Sequence, residues 1–320
     1  KRAVRRLSSF DYLIGIDDFS RMGGFRFAET KGGTFINTEE SLRVPPLANV
    51  RELMRAAHEI ELSEEEHVLP SKKWIVQLLH PGTSLGGARP KASVLDEDGS
   101  LTVAKFPSRK DDYDVAAWEH FCHVMARKAG INVADTRLIS GGDYHILLSK
   151  RFDRAADGKR IHFASALTLL GLTDGDNAST GYGYPDIVDF ILQHGANVEQ
   201  NLEELYRRVA FNIIVGNSDD HFRNHGFLLT RRGWELSPAY DLNPTLSDHQ
   251  SLLINRSTNE ADLGILLASS DDYMLPHDRA AAIIAEIKAA MQQWQTTATR
   301  LSLPARDIAT FAPRINRYLD

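Results

Sequence analysis

The spacing of hydrophobic positions divides the chain into a β-rich first part and a mainly helical second part. After Pro45-Pro46, residues 47–61 carry apolar side chains at 47, 50, 53, 54, 57 and 60, a helical period. Between 91 and 106 the period drops to two. Residues 91–95 and 101–106 flank Asp96-Glu97-Asp98-Gly99-Ser100, which predicts a hairpin. In its second strand Leu101, Val103 and Lys105 share one face. Helical spacing returns over 114–129, with apolar residues at 115, 118, 121, 122, 125 and 129, and 144–152 reads as another strand. Beyond Asp153 helices are predicted at 163–170, 185–194, 202–215, 277–299 and 304–319. A short hairpin of 226–229 and 233–236 interrupts them. Nearer the start, 13–16 and 24–27 read as short strands or edges. No repeat is visible. The expected class is α+β, with a ligand cleft between the two halves.

Composition narrows this little. The chain has 320 residues, 42% hydrophobic and 25% charged, enough to bury a sizeable core. No apolar run approaches the roughly 18 residues of a membrane span, so no membrane partner is expected. A net charge of −6 argues against a generic polyanion binder. One cysteine, Cys122, cannot form an internal disulfide; it lies on the apolar stripe of the 114–129 helix and reads as core in a cytoplasmic protein. The start is basic without an apolar stretch behind it, which is no secretory leader. The missing initiator methionine suggests a longer parent chain.

The densest polar cluster is Asn217-Ser218-Asp219-Asp220-His221-Phe222-Arg223-Asn224-His225, directly after the apolar helix end 210–216. A solvated loop with side-chain caps is the plainest reading of such a stretch. The spacing argues for more. Asp219 and Asn224 stand as D-x-x-x-x-N, which in phosphotransferases joins a base to a magnesium ligand. A hairpin then leads to Asp241, 17 residues after Asn224. Magnesium takes oxygen ligands and keeps waters, so Asn224 and Asp241 could supply its protein ligands. Asp219 could orient an attacking hydroxyl and accept its proton.

Two upstream features fit the same chemistry. Residues 82–91, Gly-Thr-Ser-Leu-Gly-Gly-Ala-Arg-Pro-Lys, form a glycine-rich run with a lysine beyond it, suited to phosphate. It is not a Walker A motif, because Lys91 has no glycine before it and Ala92 after it. Lys105 sits late in its strand, and Glu119 faces inward on the following helix. An unpaired buried carboxylate costs on the order of several kcal/mol, so Glu119 either pairs with Lys105, the nearest candidate by topology and in the plainest case a structural ion pair, or reaches water at the stripe's edge. A strand lysine paired to a helix glutamate is also how a kinase holds the phosphates of ATP. Each signal is weak alone; their order along the chain is that of a protein-kinase-like active site.

On Ser84-Leu85-Gly86-Gly87-Ala88-Arg89-Pro90-Lys91, Val103-Ala104-Lys105-Phe106-Pro107, Arg151-Phe152-Asp153-Arg154, Ser218-Asp219-Asp220-His221-Phe222-Arg223-Asn224 and Pro238-Ala239-Tyr240-Asp241, the chain resembles the HipA family of toxin–antitoxin kinases. Met22-Gly23-Gly24-Phe25-Arg26-Phe27 is similar to the end of that family's N-terminal module. The resemblance implies a bilobal serine/threonine-protein kinase using ATP and Mg2+. Residues 1–70 would be the remainder of the N-terminal module, 71–152 the kinase N-lobe and 153–320 the helical C-lobe. It implies Asp219 as base, Asn224 and Asp241 as metal ligands, and Lys105 on phosphate. Gly86, Gly87, Ala88, Arg89 and Lys91 would cover the nucleotide, with Lys150, Arg151 and Phe152 at the adenine hinge. His221 and Tyr240 would face the nucleotide or metal shell.

Ser84 matches the position such kinases phosphorylate on themselves. A phosphoserine there adds nearly two negative charges beside the nucleotide and would repel ATP. The implied partners are a helix-turn-helix antitoxin of HipB type, operator DNA through that antitoxin, and an aminoacyl-tRNA synthetase as substrate. One departure matters: where the family more often has Thr-Asp-x-His, this chain has Ser218-Asp219-Asp220-His221, so a second carboxylate competes with Asp219. The five-step spacing to Asn224 favours Asp219. Two other readings stand beside the kinase. One is a catalytically silent antitoxin-binding corepressor, whose mark would be loss of Asp219, Asn224 or Asp241. The other is a metal-dependent phosphoesterase built on Asp219, Asp220, His221 and His225, which would want further ligands at fixed spacing.

Overall fold

The structure, a computed structural model, describes residues 8–38, 44–69 and 89–319. Its helices and strands together make an α+β chain, and the α-carbon packing separates it into two compact units: Lys1–Asp112 with Arg137–His162, and Tyr113–Thr136 with Phe163–Asp320. Among the described residues no helix is long and apolar enough to cross a membrane.

The first unit is built on a four-stranded sheet. Its strands are β1 (Lys91–Leu95), β2 (Leu101–Lys105), β3 (Thr136–Ser140) and β4 (His145–Lys150), in the order β1-β2-β4-β3. The Asp-Gly turn closes the β1–β2 hairpin as expected, with Gly99 at φ 77°. The helix predicted after Pro45-Pro46 is α2 (Val50–Glu65). Its buried Val50, Leu53 and Ala57 pack with Ala92, Val94, Ala104, Phe106, Ile146 and Leu148 of the sheet. Burying each large apolar side chain contributes about 1.5–3 kcal/mol, which fixes this face of the sheet inward.

Residues 13–16 are not a strand. They belong largely to helix α1 (Ser9–Gly15), opened by a capping box in which the Asp11 amide donates to Ser8 Oγ and the Ser8 amide to Asp11 Oδ2. Residues 24–27 form no strand either; the segment's ladder contact is the bridge Ala28–Phe35. It is held instead by charge. Arg151 grips Asp153 through two nitrogens (2.9 and 2.6 Å) and donates to Ser20 O, while Arg154 and the Gly23 amide also reach Asp153.

In the second unit α3 (Val115–Lys128) is capped by Asp114, whose side chain accepts from the Ala117 amide. The stripe predicted from the sequence is buried from Trp118 to Ala129, with Val115 half-buried. Trp118 packs on Phe311 with centroids 4.5 Å apart, and Cys122 is a fully buried thiol that burial pushes well up, an inert core residue. The predicted helix at 163–170 is split by tertiary pairing. Strand β5 (Phe163–Ser165) lies against β6 (Gly226–Thr230), which pairs with β7 (Gly233–Leu236), and only then comes α4 (Ala166–Leu169). Helices α5 (Tyr184–His194) and α6 (Val198–Val215) follow. After α7 (Leu263–Ala268), the long helix expected at 277–299 is two, α8 (His277–Met291) and α9 (Trp294–Arg300), before α10 (Ala305–Asn316).

Candidate functional site

Helix α6 delivers the polar loop. Its last turns, from Val209 to Val215, are wholly buried, and Gly216 ends the helix at φ 79° with its amide on Asn212 O. A Cβ at Gly216 would lie 2.8 Å from Thr245 O and would need a left-handed backbone, so glycine is required there. The strand-like segment after the hairpin then pins the loop. The Thr245 amide donates to Gly216 O (2.7 Å) and the Ser251 amide to Ser218 O (2.9 Å).

Within the loop the two adjacent carboxylates have opposite environments. Asp220 is 3% exposed and its Oδ2 accepts from Tyr184 Oη (2.7 Å), Asn212 Nδ2 (2.7 Å) and His225 Nε2 (2.9 Å). Burial alone would push its carboxyl up; the His225 imidazole and the Tyr184 hydroxyl outweigh burial and hold it below the usual carboxylate range. Asp219 reaches solvent. Partial desolvation and the nearby Asp241 and Asp220 carboxylates raise its carboxyl, against a lowering pull from His221. Of the two adjacent carboxylates, Asp219 is the one open to solvent.

Asn224 is set by a 3₁₀ turn, Phe222–Asn224, with its amide on His221 O (2.8 Å). Its Nδ2 donates to Asp219 O (3.1 Å), so the amide nitrogen is engaged and Oδ1 is the atom left for a cation. The β6–β7 hairpin returns the chain alongside: the Ser237 amide donates to Gly226 O, and Ala239 pairs with Val133. Tyr240 Oη donates to Arg223 O (2.5 Å), and Asp241 follows at φ 59°, a left-handed non-glycine backbone of the kind that clusters at functional sites. Besides His225 Nδ1 at the end of the loop, two polar atoms here are buried without a partner, His221 Nδ1 and Asn243 Oδ1. An oxygen pair from Asn224 and Asp241 suits an ion that keeps waters and phosphate oxygens, and the two orphaned atoms suit such an added shell. The phosphoesterase reading needs Asp220 and His225 as ligands, but they are bonded to each other in the core.

The first unit holds the other predicted residues. Lys91 and Lys105 are directly opposed in the β1–β2 register, hence on one face of the sheet. Ser93 lies on that same face, fully buried, with an unpartnered hydroxyl. Arg89 is committed to Asp111 (2.8 and 2.5 Å) and exposed Lys150 to Asp98 (3.1 Å). Arg151's guanidinium is consumed by Asp153, so any hinge role would fall to its backbone or to Phe152. Gly86, Gly87, Ala88 and Ser84 lie outside the described residues. Glu119 is buried on α3, 3.8 Å from His123 Nε2; it belongs to the second unit and Lys105 to the first. Sequence reasoning missed Tyr184, Asn212 and Asn243. Only Asn212 left a signal, a lone amide within the apolar run 210–216.

Residues 83–294 match the HipA-like C-terminal domain, and the chain belongs to that family. Among similar proteins are the serine/threonine-protein kinase toxin HipA of Shewanella oneidensis, 25% identical over 213 residues (59% of this chain, 48% of that protein), and the toxin YjjJ of Escherichia coli K12, 23% identical over 252 residues (75% and 54%). The chain spans about half the length of the curated relatives it matches. Among solved structures, a chain of the Shewanella oneidensis MR-1 complex of HipA, HipB and operator DNA shares the fold. It matches with TM-score 0.67 and 18% identity over 99% of this chain and 78% of that one.

Proposed function

We propose that the protein is an ATP- and Mg2+-dependent serine/threonine-protein kinase, the toxin of a type II toxin–antitoxin pair. The observation that carries this reading is the division of labour in one loop. Asp219 is solvent-facing with a raised carboxyl, Asn224 Oδ1 is left open one hydrogen bond away, and Asp241 is close enough for its charge to act on Asp219. A bound magnesium nucleotide would supply the phosphoryl group and the cation that neutralises its charge. Asp219 would orient the attacking hydroxyl and take its proton, a role favoured by a carboxylate whose basicity is raised. Asn224 and Asp241 would hold the metal, with His221 and Asn243 toward its outer shell. Lys91 and Lys105, opposed on one sheet face, would share the phosphates.

In this reading residues 71–152 and 153–320 serve as kinase lobes and 1–70 as part of an N-terminal module. The fold shared with the HipA–HipB–DNA complex supports a HipB-type antitoxin as partner, and with it operator DNA. An aminoacyl-tRNA synthetase as substrate and self-phosphorylation at Ser84 belong to the same proposal. The test is incubation with magnesium and γ-labelled ATP beside Asp219→Asn, read by intact mass. Label on the wild type that vanishes in the variant supports a kinase acting on itself, and peptide mapping then tests Ser84. Nucleotide binding without phosphotransfer to itself or to added synthetases would favour the silent corepressor.

A further inference from the structure

Asp220 is the most heavily engaged carboxylate of the loop, yet no step of the proposed chemistry uses it. Its three donors come from separate places: Tyr184 opens α5, Asn212 lies in α6, and His225 immediately precedes β6. All four residues are at most 3% exposed, and the Tyr184 and His225 rings meet edge to face at 5.6 Å. The network runs on. Asn212 Oδ1 accepts from Asn217 Nδ2 (3.1 Å), and Asn212 O accepts from the Gly216 and Asn217 amides. A buried carboxylate is therefore the knot that ties two helices and a strand entry to the loop between Asn217 and His225.

We propose that Asp220 is a positioning residue for phosphotransfer: anchored in the core by Tyr184, Asn212 and His225, it sets the placement of Asp219 and Asn224. This rests on the kinase reading above. The geometry makes the coupling direct. Asp219 is the preceding residue, and its carbonyl receives Asn224 Nδ2, so rotation of the peptide at 219–220 displaces the base and the metal-ligand amide together. A carboxylate is needed because all three donors converge on one oxygen. A neutral amide oxygen in that place accepts the same bonds more weakly, and its NH2 group puts donors where the carboxylate has a second acceptor. Asparagine at 220 fills the same volume but lacks the charge that strengthens all three.

The experiment compares wild type, Asp220→Asn, Tyr184→Phe and Asp219→Asn. Each is assayed for phosphotransfer, for affinity toward magnesium with a non-hydrolysable ATP analogue by calorimetry, and for amide hydrogen exchange. Asp220→Asn is expected to lower kcat about 100-fold, the order of loss from a misplacement of about 1 Å, with nucleotide affinity within about threefold of wild type. Exchange should quicken at 217–225 and stay unchanged in the buried turns of α6. Tyr184→Phe, which removes one donor and keeps the ring, should move both readouts less in the same direction and serves if Asp220→Asn does not fold. Unchanged kcat and unchanged loop exchange in Asp220→Asn would overturn the proposal. So would an inactive Asp220→Asn beside an active Asp219→Asn, since Asp220 would then be the base. A wild type that transfers no phosphate defeats the kinase reading alone; the exchange comparison still decides whether Asp220 orders the loop.

Discussion

Asp219 and Asp220 show how far one peptide bond can separate two identical side chains. Both are aspartates of one loop; one is raised by partial desolvation and neighbouring carboxylates, the other held low because the His225 imidazole and the Tyr184 phenol outweigh burial. A base must hold its proton well enough to take it, and only the first is so placed. Asp219→Asn is expected to lower phosphotransfer by about 10²–10⁴-fold, the usual worth of a general base. Nucleotide affinity should be unchanged by calorimetry. Wild-type turnover in that variant would remove Asp219 from the mechanism.

At the scale of elements, charge and close approach hold what periodicity alone does not. The segment around Gly23 has no ladder of its own and is clasped to 151–154 by Asp153, fully buried between Arg151 and Arg154. Burial raises the Asp153 carboxyl, but the Arg151 hydrogen bonds and charge, then Arg154, bring it below the ordinary value. Its folded-state pKa is thus below the unfolded value of about 3.9. The stabilisation is present above about pH 4 and is lost as pH falls through the folded value. Asp153→Asn should cost about 3–5 kcal/mol at pH 7, as for a broken buried ion pair, and that gap in urea unfolding should shrink below about pH 4. An equal gap at pH 7 and pH 3 would contradict the assignment. Close approach matters at the entry to α5, where a Cβ on Gly183 would sit 2.3 Å from Leu253 O. Gly183→Ala should lower thermal stability by about 1–3 kcal/mol, as overpacking does, and loosen Tyr184 with it.

For the whole molecule, the functional reading rests on side chains from both compact units: the lysine pair of the first sheet, and the loop and hairpin of the second unit. Magnesium ATP at about 100 times its Kd should stabilise the protein by about 2.7 kcal/mol, read as a rise in Tm. Lys105→Ala should lose most of that rise, measured against its own unliganded Tm. A full ligand-induced rise in Lys105→Ala would exclude the lysine from the nucleotide site.

The sequence by itself determined the elements whose signal is local. The helical periods of α2, α3 and α6, the Asp-Gly hairpin and the β6–β7 hairpin are encoded in consecutive residues, and so is the D-x-x-x-x-N spacing. The family was legible because its motifs stand in order along the chain. Tertiary structure decided the rest. β5 reads as helix from its composition and is a strand only because β6 offers it a partner; residues 13–16 read as a short strand but follow a capping box that starts a helix. The register that opposes Lys91 to Lys105 depends on where β1 meets β2. Which of two adjacent aspartates is buried depends on Tyr184, 36 residues away, and on Asn212 in the preceding helix. Burial and charge at such positions arise from contacts distant in the chain, and no window of neighbouring residues contains them.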